Sequence, residues 1–104
     1  MKNRTETARQ LLRNATAEFL AREAGPQSLI TVTRADIADN FGEATIYLSV
    51  LPEEKEQAAL DFVNRSVVEL KAFLKSRTKL PRTPHIEFAI DRGEKNRQRL
   101  DQLG

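Results

Sequence analysis

The chain has 104 residues, of which 39% are hydrophobic and 31% charged, and this length predicts one domain over residues 1–104. Its 17 Lys and Arg nearly balance 15 Asp and Glu, so the net charge of +2 is not that of a uniformly basic nucleic-acid binder. The absence of cysteine excludes disulfides, zinc–thiolate sites and iron–sulfur ligation. With a single histidine, a zinc site would need carboxylate ligands, and we expect neither a metal nor a cofactor.

The sequence shows no signal for export or membrane insertion. The first residues are polar and lack the apolar core of a signal peptide. No stretch approaches the roughly 18 consecutive apolar residues of a membrane-spanning helix. We therefore expect a soluble, cytoplasmic protein that has no membrane partner.

The first predicted element is a helix over residues 5–24. Its apolar residues recur at spacings of three and four, which places them on one stripe of a helix. They are Ala8, Leu11, Leu12, Ala15, Phe19 and Leu20. Gly25 and Pro26 follow and are expected to end the helix.

A β-hairpin follows the first helix. From Leu29 the apolar period changes to two, and β-branched residues dominate, as in a strand. Residues 39–42 carry the Asp, Asn and Gly of a turn, and residues 44–50 alternate again between apolar and polar. Two such runs around a turn predict antiparallel strands with one buried face.

Residues 52–75 predict a long helix, because Pro52 and the glutamates after it are typical of a helix start and apolar residues then repeat at helical spacing. At roughly 35 Å, such a helix is long for a domain of this size, so we expect a kink or a break. Residues 86–90 alternate as a third strand, and residues 94–103 predict a weakly held last helix. The fold class is α+β, with a three-stranded sheet and helices packed on one face.

Charge is segregated along the chain. Residues 1–22 hold five cations and two carboxylates, residues 36–61 one cation and seven carboxylates, and residues 62–85 six cations and one carboxylate. The macrodipole of the long helix explains part of the positive charge at its C-terminal end. Four cations between Lys75 and Arg82 also repel one another, so the pattern favours an anionic partner facing them.

The sequence also contains residues that could serve protein binding, metal binding or catalysis. The acidic residues 53–61 are suited to dock a basic partner, so the alternative function is a protein–protein adaptor. Asp36, Asp39 and Glu43 could gather a divalent cation, but they are also ordinary turn residues. His85 could serve a small catalytic dyad, but a surface histidine beside a carboxylate is far commoner, and we predict that the chain is not an enzyme.

The order and spacing of these segments resemble the ribosome-binding factor A family over nearly the whole chain. Residues 30–33 and 44–51 are similar to the family's two-strand hairpin. Residues 80–91 resemble its third strand, where a proline precedes an apolar–polar–aromatic run that ends in aspartate. The first helix and the leucine segment 97–103 also resemble those of the family.

The resemblance implies a type II K-homology fold, ordered helix–strand–strand–helix–helix–strand, without catalysis. It also implies binding to the small ribosomal subunit and its 16S rRNA during maturation, rRNA processing and cold adaptation. We expect a monomer that contacts phosphates through basic side chains, with base stacking as a minor contribution and no small-molecule substrate. The predicted phosphate contacts are Arg4, Arg9, Arg13, Lys71, Lys75, Arg77, Lys79 and Arg82.

Three places depart from the family's pattern. Residues 25–27 read Gly-Pro-Gln where Asp-Pro-Arg is usual, and Asn40 replaces the turn aspartate. The family's Ala-x-Gly kink falls at residues 64–66, with Ser66 in place of the glycine. The depth and position of the kink are therefore open questions for the structure.

Overall fold

Helices and strands follow the predicted order in the computed structural model, which describes residues 4–23 and 29–93. The predicted loop residues 25–27 and the predicted helix 94–103 lie outside these residues. The elements are α1 (Arg4–Glu23), β1 (Leu29–Ile37), β2 (Glu43–Leu51), a 3-10 turn (Glu53–Lys55), α2 (Glu56–Arg65), α3 (Val67–Arg77) and β3 (His85–Ile90). The α+β class and the type II K-homology order are both confirmed.

The three strands form one mixed sheet in the order β1-β2-β3. β1 and β2 are antiparallel, with Leu29 opposite Leu51, and a register shift between Val32 and Arg34 marks a bulge in β1. β3 pairs with the other side of β2 in parallel. A parallel pair needs a crossover connection, which α2 and α3 provide.

The core lies between one face of this sheet and the helices. Alternate side chains of β2 point to that face and are all buried, as the pleat of a strand requires. α1 adds Leu12 and Phe19, and α3 adds Leu70 and Leu74. Along the described residues, no helix covers the opposite face of the sheet, whose side chains are exposed or half-buried.

One residue of the predicted apolar stripe lies off the core. Leu11 is 38% exposed, whereas its neighbour Leu12 is fully buried. Successive side chains on an α-helix point about 100° apart, and Leu11 lies on the side of Leu12 that faces away from the core. Leu11 therefore lies at the edge of the buried stripe, and the prediction that it belongs to that stripe is wrong.

The predicted long helix is broken at Ser66. The backbone there has φ −93° and ψ 3°, a conformation open to ordinary residues, so glycine is not required. The Ser66 hydroxyl donates a hydrogen bond to the carbonyl oxygen of Phe62 at 2.9 Å, and its N–H reaches the carbonyl oxygens of Phe62 and Val63, both at 3.1 Å. The kink therefore keeps its place without the family glycine.

Nowhere in residues 4–23 and 29–93 is a helix both long and apolar enough to cross a membrane.

Candidate nucleic-acid interface

The eight predicted phosphate contacts all lie in described parts of the chain. Three are on α1, three on α3 and two on the segment that follows α3, and all are exposed except Lys71, which is half-buried. α1 packs against α3, with the rings of Phe19 and Phe73 5.6 Å apart. Two basic stretches that are far apart in sequence are therefore neighbours in space.

Three of the eight cations have polar partners among the described residues. Arg9 pairs with Glu6 at 3.4 Å, one turn earlier on α1. Arg13 donates to the carbonyl oxygen of Thr33 at 3.4 Å and to the side chain of Asn14 at 3.1 Å. Such contacts orient a guanidinium and reduce its freedom to meet an external phosphate.

The third of these, Arg77, belongs to a cluster between α1 and α3. Its guanidinium lies 3.2 Å from Glu18, and the same carboxylate oxygen accepts from Arg22 at 3.1 Å. Both guanidinium groups also lie near the Phe73 ring, at 5.2 Å for Arg77 and 5.6 Å for Arg22. Arg22 was not among the predicted contacts, although its position one turn after Glu18 could have indicated the pairing.

The other five predicted contacts form no ion pair with any residue in 4–23 or 29–93. They are Arg4, Lys71, Lys75, Lys79 and Arg82. Because no carboxylate in these two ranges neutralises it, each keeps its charge available to an anion in solution. We call these five residues the open cations.

The uncovered face of the sheet has a different character. Tyr47 lies there, and the guanidinium of Arg34 covers its ring at 4.0 Å while reaching Asp36 at 3.7 Å. Carboxylates on Glu43 and Glu87 share this face. The one tyrosine is therefore already stacked, and the carboxylates disfavour a polyanion on this side.

The candidate residues for metal binding and catalysis are not built into a site. Across the described residues, no three histidine, cysteine or acidic side chains are grouped so as to hold a metal ion. His85 and Glu87 approach to 4.0 Å, but both are largely exposed. A catalytic dyad needs its base held and oriented, which two solvated side chains do not provide.

The acidic residues 53–61 lie on the 3-10 turn and the first part of α2. Arg92 comes within 3.9 Å of Glu56, so part of this charge meets an internal cation. Gln57 donates to Asp61 at 3.0 Å. The acidic stretch is thus separate in sequence from the open cations and is partly engaged within the fold.

Comparison with known proteins gives matches along nearly the whole chain. The family model described as Ribosome-binding factor A matches residues 4–104. The ribosome-binding factor A of Chlorobaculum parvum is 30% identical over 109 aligned positions, which cover 99% of this chain and 89% of that protein.

Solved structures agree with the sequence matches. The crystal structure of ribosome-binding factor A from Thermus thermophilus superimposes with a TM-score of 0.78 at 25% identity, covering 86% of this chain and 99% of that one. A homology model of the Thermus thermophilus factor, fitted into the cryo-EM map of a 30S complex, gives a TM-score of 0.71 at 27% identity, with 88% and 97% covered. Both are similar to this chain in fold and in extent.

Proposed function

This chain belongs to the ribosome-binding factor A family, and we propose that it binds the small ribosomal subunit, as the similar factor fitted into a 30S complex does. The proposed role is non-catalytic: the protein contacts 16S rRNA in the cytoplasm while the subunit is assembled and its rRNA processed. Basic side chains make these contacts. The eight cations named from the sequence are the proposed set.

The observation that carries this proposal is the placement of the open cations. They lie on two helices that pack together and on the segment that follows the second helix, whereas carboxylates mark the uncovered sheet face. A surface that is basic on one side and acidic on another orients a protein towards a polyanion. Phosphate contacts of this kind supply affinity and orientation, and the shape of the folded rRNA supplies specificity.

The five open cations are expected to contribute more than the three that are already engaged. Arg9, Arg13 and Arg77 must first leave internal partners, which offsets part of the gain from meeting a phosphate. If each open cation neutralises one phosphate, the logarithm of affinity falls with the logarithm of salt concentration at a slope of about −3.5 to −4.5.

The test is a salt titration of fluorescently labelled protein with isolated small subunits, followed by anisotropy. Lys75→Gln and Lys79→Gln should each make the slope shallower by about 0.7–0.9 and weaken binding. Arg34→Gln is the matched control, because it removes one positive charge from the uncovered sheet face. It should leave the slope unchanged, and Arg77→Gln should have a smaller effect than Lys75→Gln.

Two results would contradict the proposal. A slope near zero in the wild type would mean that phosphate contacts do not hold the complex together. Equal losses in Lys75→Gln and Arg34→Gln would mean that net charge matters and the proposed surface does not. Binding to a basic protein partner alone, lost when the carboxylates of residues 53–61 are neutralised, would favour the adaptor function instead.

A further inference from the structure

A groove lies where the start of α1, the β1–β2 turn and the segment after α3 meet. Its cavity volume is about 270 Å³, and a second cavity of about 260 Å³ shares Arg4 and Phe41 with it. Drug-sized ligands occupy pockets of about 300–1,000 Å³, so a space of this size suits one small group.

The floor of the groove is apolar and is fixed by the turn. Phe41 has φ 58°, a left-handed conformation that is uncommon for a bulky residue, yet its side chain is only 6% exposed. The strain of such a residue is about 1–3 kcal/mol and persists only where the surroundings hold it. Leu80 and Pro81 form another side, and the exposed Leu11 faces the same space.

Two open cations stand at the rim of this apolar floor. The Arg4 guanidinium lies over the Phe41 ring, 5.4 Å from its centroid, and Lys79 lines the same cavity. The second cavity is also lined by Asp39, whose carboxylate can accept hydrogen bonds. Apolar surface, two cations and one acceptor are therefore combined in adjoining spaces.

We infer that this groove holds a single unpaired nucleotide of RNA, an inference that rests on the proposed function and deepens it. The base lies against Leu11, Leu80 and Pro81, and its phosphate is held by Arg4 and Lys79. RNA-binding proteins hold unpaired bases on aromatic side chains or guanidinium planes, with hydrogen bonds to the base edges. In this groove the Arg4 guanidinium and aliphatic side chains supply the corresponding surface. An uncharged peptide side chain would use the floor but leave both cations without a partner.

Asp39, which lines the adjoining cavity, would give a nucleotide in the groove a preference among bases. A carboxylate accepts from an exocyclic amino group, as it does from cytosine N4. Adenine, cytosine and guanine carry such a group and uracil does not. Oligoadenylate should therefore bind several-fold more tightly than oligouridylate. Asp39→Ala should reduce this difference in affinity.

The test compares hexaadenylate with a hexamer of abasic ribose phosphate that carries the same charge. Binding to the labelled oligomers is followed by anisotropy, and circular dichroism checks that each variant is folded. Burial of one base against these apolar side chains should favour hexaadenylate by about tenfold in the wild type. Leu11→Gln should remove this preference, whereas Leu29→Gln, at a leucine that is 63% exposed and outside the groove, should retain it. Lys79→Gln should weaken the binding of both oligomers.

The outcomes separate the groove from the proposed function. Equal affinity of the wild type for the two hexamers would overturn the nucleotide groove, as would equal behaviour of Leu11→Gln and Leu29→Gln. Failure to bind either hexamer, in a protein that still binds small subunits, would overturn the groove alone. Failure of the wild type to bind small subunits even at low salt would instead contradict the proposed function.

Discussion

Thr16 offers the sharpest test of how the interior of this fold is assembled. It is 0% exposed in the middle of α1, and its hydroxyl has no hydrogen-bond partner among the described residues. A buried hydroxyl of this kind has lost its water without a replacement. Thr16→Val keeps the shape of the side chain and removes the unsatisfied group, so it should stabilise the protein.

The size of the effect follows from the cost of the unpaired hydroxyl. Leaving such a group buried costs about 1–3 kcal/mol, and threonine and valine have similar helix propensities. We expect Thr16→Val to raise the free energy of unfolding by about 1–2 kcal/mol. For a domain of this size, each kcal/mol corresponds to a rise of about 4–8 °C in Tm.

The matched control is the same substitution at Thr33. There the hydroxyl donates to Asp91 at 2.6 Å and lies 3.3 Å from the carbonyl oxygen of Tyr47. Thr33→Val removes a hydrogen bond to a charged group in a half-buried position and should lower the free energy of unfolding by about 1–2 kcal/mol. Urea denaturation followed by circular dichroism measures both variants. A Thr16→Val protein that is no more stable than the wild type would refute the reasoning.

Further predictions concern the helix break, the turn and the α1–α3 cluster. Ser66→Ala loses the hydroxyl bond to Phe62 and should lower the free energy of unfolding by about 0.5–1 kcal/mol in urea denaturation, and an unchanged value would contradict the role of that bond. Gly42→Ala places a Cβ 3.0 Å from Asn40 Oδ1, which accepts a hydrogen bond from the Gly42 N–H at 2.8 Å. Because this contact disturbs the hydrogen bond, the free energy of unfolding should fall by about 1 kcal/mol, measured as a lower Tm. Glu18→Gln should change stability by less than about 1 kcal/mol, since the pairs are exposed, yet tighten binding to small subunits by freeing two arginines. Weaker binding of the Glu18→Gln protein to small subunits would contradict this prediction.

The strands are the part of the fold that sequence predicts best. Along β2, every second side chain from Ala44 to Val50 is buried, because the pleat leaves only one face against the helices. The alternation that marks this strand in the sequence is the same alternation that builds the core. The parallel pairing of β3 leaves no such local trace, since it depends on the path of the chain through α2 and α3.

The break in the long helix shows where local reasoning ends. Sequence indicates that a helix over residues 52–75 is too long for the domain, but nothing in its periodicity marks the residue at which it breaks. The helix breaks at Ser66, where the backbone takes a conformation that does not require glycine and the hydroxyl donates to the carbonyl oxygen of Phe62. Both are properties of the folded backbone.

The basic residues of the candidate interface can be predicted from the sequence, but their contacts within the fold cannot. The basic stretches can be counted in the sequence, but the pairing of Arg77 with Glu18 depends on two helices meeting in space. The same is true of the groove, which joins Arg4 to Lys79 through tertiary packing. Which cations are open is therefore a structural fact that composition cannot supply.

Co-sedimentation of the purified protein with isolated ribosomal subunits tests the central claim most directly. At low salt the protein should pellet with small subunits and stay in the supernatant with large ones, because its basic surface is proposed to fit the small subunit. High salt should release it, since the contacts are to phosphates. Failure to pellet with small subunits at low salt, or equal pelleting with both subunits, would contradict the account.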